Sequence, residues 1–164
     1  MSPLDRLVAR LFRGTVDGLV KEALAKRDAD GAPPSYRYRV HGDPTRLRIH
    51  PTAVINDALF NVAGESTITV KEYAFFGHQV AVLAGIHDVN KFGRERQTTI
   101  LREGRDVVIE EGAWLASQVL VLGPCVIGAH SVVAGGSLVI RDVEPFTIVA
   151  GRPATVVRRI EVRP

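Results

Sequence analysis

A six-residue periodicity of branched aliphatic residues organises the second half of the chain. In steps of six, the aliphatic positions are Ile109, Leu115, Val121, Ile127, Val133 and Val139. A second, mostly small set lies four residues after each: Ala113, Val119, Cys125, Ser131, Ser137 and Val143. An α-helix repeats near 3.6 residues and a simple strand at two, so neither explains a strict period of six. Such a period is typical of a β-helical solenoid, whose stacked coils bury a continuous column. We therefore predict an all-β solenoid with aliphatic side chains inside the coil and small residues at its corners.

The same period occurs earlier in two other phases. The first phase is Ile49, Ile55 and Asn61, with Ala53 and Leu59 in the corner column; the second is Val70, Phe76 and Val82, with Ala74, Val80 and Ile86. Residues 88–108 carry no six-residue period and begin directly after His87. Because a long excursion from a solenoid is usually functional, we predict an extended functional loop there.

The two ends of the chain depart from the repeat. Residues 4–27 have apolar positions at helical spacing and predict an amphipathic helix, which ends in the turn-rich segment 28–34. We expect its apolar face to pack on protein; contact with a membrane surface is the less favoured alternative. Pro145, Gly151 and Pro153 interrupt the repeat, so residues 142–159 are expected to cap the last coil. The predicted organisation is thus a helix and linker (1–34), a solenoid domain (35–159) and a short tail (160–164).

Composition narrows the function only slightly. The 164 residues carry a net charge of +3 and a single cysteine, Cys125, which falls in the small-residue column and is predicted to be a buried packing residue. The mild positive charge suits an anionic ligand, but no nucleic-acid recognition motif accompanies it, so we predict no nucleic-acid partner. No signal peptide or membrane-spanning run is evident, which makes a cytoplasmic location the default expectation.

Four segments resemble the hexapeptide-repeat acyltransferases of the maltose/galactoside O-acetyltransferase type. They are residues 76–88 (FGHQVAVLAGIHD), 108–117 (VIEEGAWLAS), 133–142 (VAGGSLVIRD) and 149–154 (VAGRPA), within a resemblance that covers residues 49–159. The resemblance implies a left-handed parallel β-helix, a homotrimer and acetyl-CoA bound in clefts between adjacent subunits. It also implies a small-molecule saccharide acceptor, and by analogy a role in polysaccharide modification.

Transfer of an acetyl group to a hydroxyl needs a base that removes the hydroxyl proton, and histidine suits this task near neutral pH. His87 matches the family's catalytic base in motif and in its place before the loop. The acceptor-binding candidates are Asn61, Asp88 and His78. Asn61 interrupts the aliphatic column, Asp88 follows the base, and His78 has an outward-facing place in its hexad. An ordinary structural role remains the alternative for each.

For the acetyl-CoA site, the resemblance points to backbone groups of Ser117 and Gly135 and to basic residues Arg141 and Arg158, which match positions that contact the nucleotide phosphates. Two cofactor-site positions depart from the family pattern. Ile140 replaces a common threonine, and Thr155 replaces a common lysine or arginine, for which Arg152 or Arg159 could substitute.

The resulting hypothesis is an acetyl-CoA-dependent O-acetyltransferase that acts on a saccharide by direct transfer. The alternatives are an amino-sugar N-acetyltransferase and a non-catalytic solenoid scaffold. A zinc carbonic anhydrase shares the expected fold, but its pattern includes a close histidine pair that this sequence lacks, so no metal is predicted.

Overall fold

The computed structural model describes residues 38–102 and 104–161, which form short β-strands and two short helical segments. The strands are β1 (Tyr38–Gly42), β2 (Leu47–Ile49), β3 (Ala58–Val62), β4 (Ile68–Val70), β5 (Phe75–Phe76), β6 (Val80–Leu83), β7 (Val107–Ile109), β8 (Trp114–Leu115), β9 (Leu120–Leu122), β10 (Cys125–Ile127), β11 (Val132–Val133), β12 (Leu138–Val139), β13 (Thr147–Gly151) and β14 (Ala154–Arg159). A 3₁₀ turn spans Pro44–Arg46, and one α-helix, α1, spans Gly93–Thr98. The predicted N-terminal helix lies outside the described residues.

The strands form three sheets, which the chain visits in rotation. Sheet A has the order β1-β3-β6-β9-β12, sheet B the order β10-β7-β4-β2, and sheet C the order β14-β13-β11-β8-β5. All pairings are parallel except the last, between β13 and β14. The turns between strands of successive sheets therefore stack into three edges, which we call the A–B, B–C and C–A corners. This is the predicted parallel β-helix.

The six-residue pattern from Ile109 to Val139 is confirmed. All six aliphatic residues of that series are at most 1% exposed, and the six residues of the small set are at most 6% exposed. Three hexads complete one coil, so the strand pairs Val107–Cys125 and Leu120–Leu138 both join residues 18 positions apart. Cys125 is buried in this column, as predicted.

The first phase of the repeat was predicted only in part. Ile49 and Ile55 pack in or against the core, but Asn61 lies on the outer face of β3 while Phe60 and Val62 are buried. Leu59 also faces outward. The prediction that Asn61 occupies the inner column is wrong because the early coils are irregular. Ile49 pairs with Val70, 21 positions later, but Phe60 pairs with Val82, 22 positions later, so the inner position falls one residue before Asn61.

The second phase is confirmed, since Val70, Phe76 and Val82 are buried. The loop between the second and third phases differs from its prediction. Val107 is buried in β7 and pairs with Ile68, so the coil resumes before the predicted loop end at residue 108. The loop is also structured, because it contains α1 and an antiparallel bridge between His87 and Ile100.

The C-terminal cap is confirmed. Strand β14 folds back antiparallel on β13 and supplies backbone partners to the last strand of sheet C. Val156 and Val157 on β14 are more than half exposed, so the outer side of this cap carries apolar surface. No helix among the described residues is long and apolar enough to cross a membrane.

Candidate active site

Three of the predicted site residues stack at the C–A corner. The backbone N–H of His78 donates to Ser117 Oγ at 3.1 Å, and the N–H of Gln118 donates to the carbonyl of His78 at 2.8 Å. One coil further on, the N–H of Gly136 donates to the carbonyl of Ser117 at 2.9 Å. The backbone of His78, Ser117 and Gly135 thus forms one continuous polar edge that runs towards the C-terminal end of the β-helix.

The backbone donors at this corner point to a ligand. The N–H groups of Ser117 and Gly135 have no acceptor within the part of the chain that the structure describes, and both residues are exposed. A Cβ atom at Gly135 would lie 3.2 Å from the carbonyl oxygen of Ser117, so glycine allows the two coils to stack closely here. Two unused donors, on exposed residues of adjacent coils, suit the carbonyl oxygens of an extended ligand.

A pair of glutamines at the same corner was missed in the sequence. Gln79 and Gln118 have φ angles of 57° and 63°, and the amide of Gln118 donates to Gln79 Oε1 at 3.3 Å. The equivalent residue in the next coil is Gly136, with a φ of 71°. The sequence signal for this repeated left-handed turn was Gly136 itself, because glycine adopts a positive φ without strain and here occupies the place of the two glutamines.

The predicted base lies at the A–B corner, on the other side of sheet A. His87 is exposed and starts the loop, where it forms an isolated bridge with Ile100. The carboxylate of Asp88 accepts the N–H of Asn90 at 2.9 Å, so its described contact stabilises the loop turn. Asn61 lies at the root of the loop: its Oδ1 accepts the N–H of Ala63 at 3.0 Å, and its carbonyl accepts the N–H of Ala84 at 2.8 Å.

An arginine that the sequence did not single out organises the loop. Arg96 Nε donates to the carbonyl of Lys91 at 2.5 Å, and its Nη2 donates to the carbonyl of Val89 at 3.1 Å. Its guanidinium carbon also lies 4.9 Å from the centre of the Phe92 ring. These contacts connect α1 to the turn that follows His87 and Asp88, and so restrain the segment that carries the predicted base.

The remaining cofactor candidates lie near the C-terminal end. Arg141 and Thr155 line a common cleft of about 220 Å³, which brings together two residues 14 positions apart. Ile140 is 44% exposed beside it, on the A–B side. Arg158 lies on β14 opposite Ile148 and donates to the carbonyl of Arg159 at 3.0 Å.

Arg152 contacts the stacked backbone of the C–A corner. Its Nη1 donates to the carbonyl of Gly136 at 3.1 Å, next to Gly135. Thr155 instead donates to the carbonyl of Ala150 at 3.5 Å. A positive charge thus lies beside Gly135, and it comes from residue 152 rather than from residue 155.

One chain does not bring the two parts of the predicted site together. His78 precedes β6 and His87 follows it, so the four residues of Val80–Leu83 separate them by ~13 Å at 3.3 Å per residue. The cofactor backbone lies at one edge of sheet A and the predicted base at the other. Within residues 38–102 and 104–161, no three His, Cys, Asp or Glu side chains group to hold a metal ion.

Comparison with known proteins supports the resemblance to hexapeptide-repeat acyltransferases. Residues 106–141 match the model of the bacterial transferase hexapeptide (six repeats). A hexapeptide-repeat acetyltransferase from Vibrio cholerae, solved in complex with acetyl coenzyme A, is 27% identical and superposes with a TM-score of 0.64 over 77% of this chain and 70% of that chain. The chain therefore carries the hexapeptide repeat and is similar to acetyltransferases built from it. Its β-helix is accordingly left-handed, as the resemblance implied.

Curated members of the hexapeptide-repeat acyltransferases are also similar in sequence. Serine acetyltransferase 2 of Arabidopsis thaliana is 37% identical over 115 residues, which are 70% of this chain and 33% of that protein. Galactoside O-acetyltransferase of Lactococcus lactis is 30% identical over 109 residues, 66% of this chain and 51% of that protein. The chain thus spans a third to a half of the length of these relatives, whose names give different acceptors.

Proposed function

We propose that this protein is an acetyl-CoA-dependent O-acetyltransferase that transfers an acetyl group to a saccharide hydroxyl, with His87 as general base. The observation that carries the proposal is the pair of exposed, unused N–H groups of Ser117 and Gly135 at one edge of sheet A, opposite His87 at the other edge. The similarity to a solved acetyltransferase bound to acetyl coenzyme A supports the nature of the donor.

The proposed enzyme is a homotrimer with its active sites between subunits. From β3 to β12, the outer face of sheet A is mostly apolar: Asn61 is its polar side chain, and the others are Leu59, Ala81, Leu83, Leu120, Leu122 and Leu138. If three copies turn this face towards a three-fold axis, the A–B corner of each copy meets the C–A corner of the next. Such a ring unites His87 of one subunit with the Ser117–Gly135 edge of its neighbour and explains why a single chain holds only half of the site.

The reaction follows from these groups. An imidazole nitrogen of His87 accepts the proton of the acceptor hydroxyl as that oxygen attacks the thioester carbonyl carbon. The carbonyl oxygen gains negative charge in the tetrahedral intermediate, and in this proposal a backbone N–H group at the C–A corner donates to it and stabilises it. Collapse of the intermediate breaks the carbon–sulfur bond, and the imidazolium returns its proton to the departing CoA thiolate. The products are the O-acetylated acceptor and CoA.

The first test is a calorimetric titration of acetyl-CoA into the purified protein. We expect saturable binding near one molecule per chain, weakened in Arg158→Ala because that arginine would contact a phosphate. Arg94→Ala, on the exposed surface of α1, is the matched control and should bind as the parent does. Absence of binding at low salt would overturn the cofactor assignment and favour a solenoid scaffold.

The shared site is tested by subunit complementation. His87→Ala removes the base, and Gly135→Leu fills the cofactor edge. Gly135 does not have a positive φ, so a side chain there needs only a small shift of the Ser117 carbonyl, 3.2 Å from the added Cβ. Each variant alone should be nearly inactive. Co-expressed trimers should recover about a quarter of the parent activity, since random assembly leaves that share of interfaces with two intact halves. Absence of recovery in verified mixed trimers would contradict a site built across subunits.

A further inference from the structure

A second cleft lies on the outer face of sheet A, at its C–A edge. It has a volume of about 330 Å³ and is lined mainly by Arg39, Asp57, Leu59, Gln79 and Ala81. Arg39 projects from the edge strand β1 in register with Leu59 and Ala81. Neither Arg39 nor Asp57 forms an ion pair with another residue of the described ranges. The cleft therefore presents a cation, an anion and an amide that have no described charged partner.

Its position relates it to the proposed reaction. Gln79 directly follows His78, at the start of the strand whose other end leads to His87. The Ser117–Gly135 edge runs from β6 over successive coils towards the C-terminal end of the β-helix. Arg39 and Asp57 lie on the other side of β6, towards the N-terminal end. A donor along the C-terminal part of the corner and an acceptor in this cleft would thus meet at the level of β6. In the proposed trimer, His87 of the neighbouring subunit reaches the same level.

We infer that this cleft binds the acceptor and that Arg39 selects an acceptor bearing a carboxylate or phosphate beside the hydroxyl to be acetylated. A guanidinium binds such anions through paired, charge-assisted hydrogen bonds. Asp57 and Gln79 offer oxygens and an amide to neighbouring hydroxyl or ammonium groups. The volume is at the lower end for small-molecule sites, which favours a single sugar-sized unit. This inference rests on the proposed function and narrows its substrate class.

The experiment compares matched acceptors with the full chain and acetyl-CoA. The anionic acceptor is methyl glucuronide, the neutral one is methyl glucoside, and L-serine is a third arm that carries a carboxylate without a sugar. We expect the parent to acetylate a carboxylate-bearing acceptor in preference to the neutral glucoside. Arg39→Ala should raise KM for that acceptor about 10- to 100-fold, the loss expected for hydrogen bonds to a charged group. The value of kcat and the KM for acetyl-CoA should stay unchanged.

Two further variants sharpen the readout. Arg39→Lys keeps the charge but not the paired donors, so it should restore only part of the affinity. Arg48→Ala, on the outer face of sheet B, should leave both acceptors unaffected. An Arg39-dependent preference for L-serine would support recognition of a carboxylate and identify an amino acid as its source.

Preference for the neutral glucoside, or equal effects of Arg39→Ala on both glycosides, would overturn the inference. If no acceptor is turned over, calorimetric binding to the CoA-loaded protein replaces the kinetic assay. Failure of all anionic acceptors to bind there would also overturn it. Failure to bind acetyl-CoA is a different result, because it contradicts the proposed function itself.

Discussion

Coils after residue 107 differ from coils before it in regularity and in the chemistry they carry. From β7 to β12, the later strands pair with an offset of 18 residues, and buried side chains are aliphatic or small. The last coil is two residues shorter, since Val132 pairs with Ile148. In the earlier coils, Phe60 and Val82 pair with an offset of 22, and Phe60 and Phe76 fill the core. The loop, His87 and the Arg39 cleft all belong to the earlier part or to its end. In the proposed enzyme, the regular coils therefore supply the cofactor edge, while the departures from the repeat supply the base and the acceptor cleft.

The largest effect should come from removing the base. His87→Ala is expected to lower kcat about 10²- to 10⁴-fold while acetyl-CoA binding and the unfolding transition stay unchanged, because the residue is exposed and outside the core. His50→Ala, at the B–C corner, is the control. Steady-state kinetics measures the loss of catalysis, and parallel calorimetry measures whether acetyl-CoA binding is retained. If His87→Ala and His50→Ala were equally active, His87 would not be the base.

A substitution in the core of the regular coils should instead lower the stability of the protein. Ile127 is fully buried in β10, so Ile127→Ala should lower the free energy of unfolding by about 2–5 kcal/mol through lost burial and a cavity. Its neighbour Val126 is 38% exposed on the same strand, and Val126→Ala should cost well under that. Urea denaturation measures both. Equal losses would mean that the alternating burial of this strand does not determine its stability.

A smaller effect is expected when the loop is loosened without touching the core. Arg96→Ala removes the bonds to the carbonyls of Val89 and Lys91, so the segment next to His87 loses its restraint. We expect kcat/KM for the acceptor to fall by about 10-fold, the equivalent of one or two hydrogen bonds. The free energy of unfolding should change little, since α1 contributes no buried residue.

Arg94→Ala is the matched control for that experiment, because both arginines belong to α1 and the side chain of Arg94 has no bond within the described residues. The two variants should be compared for acceptor kinetics and for acetyl-CoA binding. A similar loss of kcat/KM in both would assign the effect to positive charge rather than to the loop geometry.

The smallest effect concerns pH and the buried thiol. Burial, reinforced by the nearby Asp142 carboxylate, raises the pKa of Cys125 to about 12. An unfolded cysteine ionises near pH ~8.5, so only the unfolded state loses its proton between that pH and the folded pKa. The contribution of Cys125 to stability is thus complete below pH ~8.5 and declines above it, by about 1 kcal/mol between pH 8 and 9.5.

Cys125→Ala provides the comparison for this pH dependence. Urea denaturation at both pH values should show a steeper alkaline loss for the parent than for the variant, whose core position cannot ionise. Identical pH slopes would contradict a shielded thiol. The equivalent positions in the next two hexads are Ser131 and Ser137, both buried, so the repeat accepts small residues at this place.

The strict repeat made the later coils predictable, because every hexad satisfies the same packing requirement. Asn61 was assigned to the wrong face because the early coils contain extra residues, and a shift of one residue in a strand reverses its faces. The structure of the loop could not be predicted, since it depends on Arg96 contacting carbonyls five and seven residues away. The stacking of Ser117 with Gly135 follows from their spacing of one coil. The division of the candidate site between the C–A and A–B corners could not be predicted, because it depends on which sheet each strand joins.

The loop also leaves a constant signature in the contacts of the coils that flank it. Thr67 with Asp106, Lys71 with Glu110, and His78 with Ser117 are all joined across an offset of 39 residues. That offset exceeds the regular coil of 18 by 21 residues, yet the pairing on both sides stays in register. The excursion is therefore added without disturbing the pairing of the coils on either side. Because doubling the length of a flexible loop costs only about 0.6 kcal/mol in closure entropy, the segment after His87 can change in length while the coils keep their register.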